Sequence, residues 1–130
     1  MYKGFILSES LNNPLLLNKL EKIYVLVEHH PGESLPYWND YKVKIDDENI
    51  EQIANEIADN IKEGWYAHFW NDEEVIAVLP GKYFKIPKEE KWQSPQFKEY
   101  QEYGRQHGVE EQYLDGFWIQ ESDTPEVQEQ

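Results

Sequence analysis

The stretch WYAHFW, which begins at Trp65, combines four aromatic rings with a histidine. Such side chains are typical of contact surfaces and of pockets for small ligands. Because side chains alternate between the two faces of a strand, Tyr66, His68 and Trp70 share one face, and Trp65 and Phe69 share the other. We expect the Trp65 face to be core, and the Tyr66 face to be a partly exposed binding surface.

A second interpretation places the same aromatic face inside the protein. The helix predicted near the C-terminus offers Phe97, Tyr100 and Tyr103, three rings that suit a buried contact. In that case the helix covers the Tyr66 face, which becomes core. The two interpretations differ in the exposure of Trp70.

Three histidines are weak candidates for a zinc site. His29 and His30 follow Glu28 in the sequence EHH, and His68 is the third. Adjacent residues of a strand point to opposite faces, so at most one of the EHH pair joins His68. No HExxH or other ligand spacing is present. We therefore predict solvated strand-end histidines and neither a metal nor another cofactor.

No pattern in the chain predicts catalysis. There is no cysteine, no serine in a GxSxG context and no glycine-rich phosphate loop. The single arginine, Arg105, falls in the last turn of a predicted helix, where the helix dipole favours a cation. The alternative is that Arg105 binds a ligand carboxylate. For this reason Arg105 is a candidate binding residue together with Tyr66, His68 and Trp70. The sequence favours a non-catalytic protein.

The net charge of −14 is concentrated in two blocks. Residues 46–63 hold seven acids and one lysine, and residues 110–130 hold seven acids and no base. A negative field repels phosphate backbones and anionic lipids, so we expect neither nucleic-acid nor membrane binding. A basic protein partner fits this charge, although solubility alone would also explain it.

The first half of the chain predicts three strands and two helices. A strand YKGFILSE precedes a short helix through LLLNKLE, and the apolar run in KIYVLVEHH predicts a central strand buried on both faces. The loop HPGESLPYWND should lack regular structure. YKVKI alternates, which predicts a strand with Lys42 and Lys44 on a wet face. An amphipathic helix follows in DDENIEQIANEIADNIKEG, with an isoleucine stripe and Gly64 past its end.

The second half predicts a meander and one more helix. WYAHFW, VIAVLP and YFKIP are extended runs with short connections. The helix SPQFKEYQEYGRQHG has Ser94 as its cap, Pro95 at its first position and Gly108 after its end.

The predicted fold class is α+β. The first six elements follow the order of the ferredoxin-like split βαβ unit, an antiparallel sheet with helices on one face, and an extra C-terminal strand and helix follow. We expect residues 1–120 to form one domain and residues 121–130 to be a disordered acidic tail. Without cysteines, a signal peptide or an apolar run of spanning length, the predicted location is cytoplasmic.

Several segments, GFILSESL, WYAHFW, KYFKI and YGRQHGVEEQYLD, carry a resemblance. With them the chain is similar to a group of small uncharacterised bacterial proteins of unknown function, over most of residues 3–115. The resemblance implies a bacterial, single-domain protein and implies no activity.

Two functional hypotheses follow from the sequence. The first is a non-catalytic protein-binding module, immunity-like or regulatory, that uses the aromatic surface for contact and the acidic blocks for steering. The alternative is a small-molecule-binding domain or minor enzyme with an aromatic pocket near His68, in which Tyr66 and Arg105 are polar contacts. The sequence is compatible with either a monomeric or a homodimeric state.

Overall fold

The computed structural model describes residues 1–125, which form six strands and two α-helices. No helix in that part of the chain is both long and apolar enough to cross a bilayer. The strands are β1 (Tyr2–Leu7), β2 (Glu21–His29), β3 (Tyr37–Ile45), β4 (Ala67–Trp70), β5 (Glu74–Leu79) and β6 (Lys82–Pro87), and the helices are α1 (Ile50–Ala58) and α2 (Pro95–Gln106). The strands make one antiparallel sheet in the order β2-β3-β1-β4-β5-β6, which confirms an α+β fold.

Helix α1 covers one face of the sheet, which we call the α1 face. Its predicted isoleucine stripe is buried, with Ile50 at 4%, Ile53 at 8% and Ile57 at 0% exposure. The stripe packs on strand residues whose side chains share this face, among them Val43, Phe69, Ile76 and Val78. The alternation expected in YKVKI and WYAHFW thus supplies one apolar core.

Helix α2 covers the opposite face, which we call the α2 face. The helix begins as predicted, because the Ser94 hydroxyl accepts a hydrogen bond from the Phe97 N–H at 3.1 Å and Pro95 follows the cap. Buried Phe97 and Tyr100 pack on residues of β5 and β6, namely Ala77, Leu79, Phe84 and Ile86. The sheet is therefore covered on both faces where β5 and β6 lie.

Strand β2 lies at the edge of the sheet, and the prediction of a central strand is wrong. Among the described strands β2 pairs with β3 alone, and Val25 and Val27 are 44% and 64% exposed. The apolar run predicted burial on both faces, but β1 pairs with β4 on its other side, so β2 is left outside. Apolar content does not determine the position of a strand within a sheet.

Two shorter segments also differ from their predictions. Pro14–Lys19 forms a 3₁₀ helix instead of an α-helix; Leu17 is its buried residue, and Leu20, which follows the end of the helix, is buried as well. The expected loop ends early, because β3 already begins at Tyr37 and continues the YKVKI alternation towards the N-terminus.

Lys42 was expected on a wet face but has no exposed surface. The segment after residue 117 crosses the α2 face above it, and the Lys42 ammonium donates to the carbonyl oxygens of Gln120, at 2.6 Å, and of Ser122. Its side chain also lies against the rings of Phe5 and Trp70. Because this segment is distant in the sequence, the alternation of residues in YKVKI cannot predict that it buries Lys42.

The start of the expected acidic tail contacts two further lysines. The Asp123 carboxylate lies 2.8 Å from the Lys3 ammonium and 3.8 Å from the Lys44 ammonium. These contacts hold residues 121–124 against the sheet. The rest of the expected tail, residues 126–130, lies outside the described residues.

Candidate binding cleft

The α2 face contains a cleft of about 630 Å³ at the end of the sheet that α2 does not cover. Phe5, Leu7, Asp40 and His68, from strands β1, β3 and β4, form its floor. The β2–β3 hairpin makes one wall. The chain after α2, including Tyr113 and Trp118, makes the other.

Asp40 places an unpaired carboxyl group in the floor of the cleft. Its residue is only 8% exposed, and its side chain makes no hydrogen bond or ion pair with any residue among 1–125. Burial, reinforced by the negative charges of Glu28 and Glu9, raises the pKa of Asp40 from 3.8 to about 7. Near neutral pH this carboxyl group exchanges a proton and lacks the cation that would stabilise its charge.

The hairpin wall is a stack of side chains. His30 Nε2 lies 3.1 Å from the Glu28 carboxylate, and the His30 ring stacks on Trp38 with 3.6 Å between ring centres. The Trp38 indole N–H donates to the Leu35 carbonyl at 2.8 Å, and Trp65 meets the Trp38 ring edge-on at 4.9 Å. These contacts fix the orientation of two indole rings and hold Glu28 on the same side.

Two tyrosines lie next to each other in the lining of the cleft. The Tyr66 and Tyr113 rings are 6.1 Å apart, and within residues 1–125 neither hydroxyl has a hydrogen-bond partner. Burial raises the pKa of Tyr66 to about 12, with a further contribution from the charge of Asp40. Both hydroxyl groups therefore stay protonated and are available as donors at neutral pH.

His68 is a neutral part of the floor. Its Nε2 lies 2.7 Å from the Trp118 carbonyl oxygen and donates to it, while burial lowers the pKa of His68 from 6.5 to about 4. Trp118 in turn stacks on Phe5, with ring centres 4.5 Å apart. The histidine thus anchors the C-terminal wall of the cleft and carries no charge at neutral pH.

The composition of the cleft favours a positively charged ligand. Four acids line it, and neither a lysine nor an arginine is among its described lining residues; the acids are Glu28, Glu33, Asp40 and Glu110. Five indole and phenol rings line the same cleft; they belong to Trp38, Trp65, Tyr66, Tyr113 and Trp118. Aromatic faces attract cations through their quadrupoles, and a carboxylate in a low dielectric attracts them more strongly than in water.

The structure brings together some of the residues predicted from the sequence. Tyr66 and His68 both line the cleft. Trp70 does not, since it is 1% exposed beneath the C-terminal segment, so the expectation that it lies on an open surface is wrong. Arg105 is also elsewhere, on the exposed end of α2, where it pairs with Glu111 and Glu102.

The three histidines proposed as metal ligands do not lie together in one site. His30 and His68 line the cleft, while His29 lies on the α1 face and stacks on Tyr37 at 4.8 Å. Among residues 1–125 no group of three or more histidines and acids has an arrangement that could hold a metal ion.

Asp40 is a cleft residue that the sequence patterns did not predict. It was assigned to a loop, yet it precedes Lys42 by two positions and therefore faces the same side of the strand. Extending the YKVKI alternation by two residues would have found it. Trp118 had no comparable local signal, because its place depends on how the C-terminal segment crosses the sheet.

No protein-family model, no curated protein and no solved structure matches this chain. What the protein binds is therefore inferred from the side chains of the cleft.

Proposed function

We propose that this protein is a non-catalytic binding module whose cleft receives an organic cation, an ammonium or guanidinium group. The observation that carries this proposal is the Asp40 carboxyl group, which is buried, has no partner among residues 1–125 and lies in a cleft lined by aromatic side chains. A cation placed beside it would stabilise the ionised carboxylate and lie against the indole faces of Trp38 and Trp65.

Two contributions support the proposal. An organic cation over an aromatic face gains about 0.5–2 kcal/mol, with more for desolvated sites. Pairing with a cation also lowers the free-energy cost of a negative charge in a buried position. The raised pKa of Asp40 reflects this cost. The cation has two possible sources, a free amine or a lysine or arginine side chain of a partner protein. The second source agrees with the immunity-like or regulatory role expected from the acidic composition.

The test is a titration with matched pairs of small ligands. Acetyl-lysine-methylamide and acetyl-arginine-methylamide supply the cations, and the corresponding norleucine and citrulline compounds are neutral controls of similar shape. Two-dimensional NMR follows the indole N–H signals of Trp38, Trp65 and Trp118. Binding of the cations with shifts at these signals, and little effect of the neutral compounds, is the expected result.

Variants make the test specific. Asp40→Asn should weaken cation binding at least tenfold, while the exposed Asp72→Asn, which removes the same charge outside the cleft, should leave it within twofold. Equal binding of cationic and neutral compounds would contradict the proposal. A third cation, n-butylammonium, represents a free amine; at least tenfold tighter binding of n-butylammonium than of acetyl-lysine-methylamide would assign the cleft to free amines, and the reverse order would assign it to side chains of a partner protein.

A second candidate is a small-molecule enzyme that uses the same cleft. It is favoured by one observation, a carboxyl group with a pKa of about 7, which suits a general acid or base at neutral pH. Glycoside hydrolases use a pair of carboxyl groups, and Glu28 and Asp40 both line the cleft. Turnover of aryl glycosides that is lost in Asp40→Asn would select this candidate.

For the architecture, we propose the ferredoxin-like split βαβ arrangement over the first four strands. It is supported by their order in the sheet, β4-β1-β3-β2, with the 3₁₀ segment Pro14–Lys19 in the place of the first helix. Strands β5 and β6 and helix α2 then extend this unit. An experimental structure in which β1 and β3 are not neighbours would contradict the assignment.

A further inference from the structure

The outer edge of β2 exposes backbone groups beside the cleft. The His30 N–H donates to the Pro36 carbonyl at 2.7 Å, which sets the phase of the antiparallel ladder between β2 and β3. Hydrogen-bonded pairs alternate along such a ladder, so Val25, Val27 and His29 direct their N–H and C=O groups away from β3. Since β2 is the last strand of the described sheet, no strand of residues 1–125 pairs with these groups.

The two faces of this edge have different chemistry. On the α1 face Val25 and Val27 are 44% and 64% exposed, with Tyr37 at 57% beside them. On the α2 face Glu28 points towards the cleft, which it lines together with Asp40. Exposed valines in the middle of an edge strand are unusual, because proteins generally protect such edges with charges or cover them.

We propose that a basic segment of a partner protein adds to β2 as a seventh strand and places a lysine or arginine side chain in the cleft. This inference rests on the proposed function, because it names the source of the cation. The alternation of side chains in the added strand gives its composition. Apolar residues pack on Val25 and Val27, and the basic residues between them point towards Glu28.

Spacing in the sheet supports the link between edge and cleft. Neighbouring strands lie about 4.8 Å apart, so Asp40 on β3 is about two strand spacings from an added strand. Glu28 lies one spacing away on the same face and interacts electrostatically with Asp40. A long basic side chain that starts at the edge therefore meets Glu28 first and approaches Asp40 with its charged end.

The charge of the chain selects a basic partner over a second copy. Each copy carries a net charge of −14, so two copies repel each other, whereas a basic segment is attracted and steered to the edge. The four acids of the cleft give that attraction a local target.

The test uses a soluble probe peptide of nine residues that alternates valine with lysine, and a second peptide in which glutamine replaces lysine. Hydrogen exchange by NMR follows the amides of Val25, Val27 and His29 in the full chain. The lysine peptide should slow exchange at these three amides at least tenfold and shift the indole signals of Trp38 and Trp65. The glutamine peptide should bind at least tenfold more weakly.

Two variants separate the edge from the cleft. Val27→Lys retains a strand-compatible residue but places a like charge against the peptide, and it should abolish the slowed exchange while small cations still bind. Asp40→Asn should weaken the lysine peptide and the small cations alike. A peptide that protects the edge equally in wild type and Asp40→Asn would overturn the inference.

Other outcomes distinguish this inference from the proposed function. Binding of acetyl-lysine-methylamide without any peptide protection of β2 would leave the proposed function standing and reject strand addition. Failure of both ligands would reject both. A wild-type dimer in sedimentation equilibrium that dissociates in Val27→Lys would show that a second copy occupies the edge, which would also overturn the inference.

Discussion

Asp40 and Lys42 lie two residues apart on the same face of β3, but their charged groups have opposite surroundings. The Lys42 ammonium is capped by two carbonyl groups of the C-terminal segment and lies 3.7 Å from the Asp123 carboxylate. The Asp40 carboxyl group has no partner among residues 1–125 and faces a cleft. Burial still lowers the pKa of Lys42, but its ammonium group has acceptors and a nearby carboxylate, whereas the Asp40 carboxyl group has none among residues 1–125. Lys42 therefore belongs to the structural part of this surface, and Asp40 belongs to the part that we propose binds a ligand.

Asp40→Asn should stabilise the protein at neutral pH. The folded state binds a proton on Asp40 below pH 7, and the unfolded state binds one only below about 3.8. Between these values the wild type loses stability as the pH rises, by up to about 4 kcal/mol. The gain from Asp40→Asn should therefore be largest above pH 7 and should shrink as the pH falls towards 4. Urea unfolding at several pH values measures it.

The matched control for this experiment is Asp72→Asn. Asp72 is exposed and lies outside the cleft, so its stability difference from wild type should not depend on the pH in this way. An Asp40→Asn variant with a constant difference from pH 4 to pH 8 would show that Asp40 titrates normally.

His68 should make the opposite contribution. The unfolded chain binds a proton on this histidine below pH 6.5, while the folded protein binds it only below about 4. Wild-type stability should therefore fall by up to about 3 kcal/mol as the pH decreases through this window. His68→Gln keeps a hydrogen-bond donor for the Trp118 carbonyl and should lack this decrease. Parallel curves for the two proteins in thermal unfolding would contradict the assignment.

Lys42→Met should release the C-terminal segment. The substitution leaves the carbonyl groups of Gln120 and Ser122 without a donor, at a cost of about 2 kcal/mol. Amide hydrogen exchange in residues 118–124 should accelerate at least tenfold. Lys44→Met is the control, because the Lys44 ammonium lies on the same face and its ion pair within residues 1–125 is with Asp123, without a hydrogen bond to the carbonyl groups of Gln120 or Ser122. Equal exchange in both variants would show that Lys42 does not hold the segment.

Gly4→Ala should disrupt the contact between β1 and β4. A Cβ atom at Gly4 would lie 2.2 Å from the His68 carbonyl oxygen and 2.7 Å from Phe69 Cα, both backbone atoms that cannot move aside independently. We expect a loss of about 3 kcal/mol in chemical denaturation. At Gly32 nothing lies within 4 Å, and only its φ of +91° opposes a side chain. Gly32→Ala should therefore cost about 1 kcal/mol, and an equal or smaller cost for Gly4→Ala would contradict the packing.

Local patterns predicted the elements well where one face of an element is buried. The isoleucine stripe of α1, the alternation in YKVKI and the Ser94 cap of α2 each depend on neighbours within a few residues. Side-chain periodicity and capping are local properties, so a single sequence contains them.

Properties that depend on distant parts of the chain were not predictable in this way. The edge position of β2 follows from the pairing of β1 with β4, and the burial of Lys42 follows from a segment almost eighty residues later. Some residues of the cleft are predictable from local patterns, and others are not. Tyr66 and His68 were found through strand alternation, whereas Trp118 reaches the cleft only through tertiary packing.

The most direct test of the cation-binding cleft is a carbon-detected NMR titration of the Asp40 carboxyl group, in the free protein and with saturating acetyl-arginine-methylamide. The free carboxyl group should titrate near pH 7, and the bound cation should lower its midpoint by at least one pH unit, because the ion pair favours the charged form. A midpoint near 4 in the free protein, or one that the cation leaves unchanged, would contradict a cleft built around an unpaired carboxyl group.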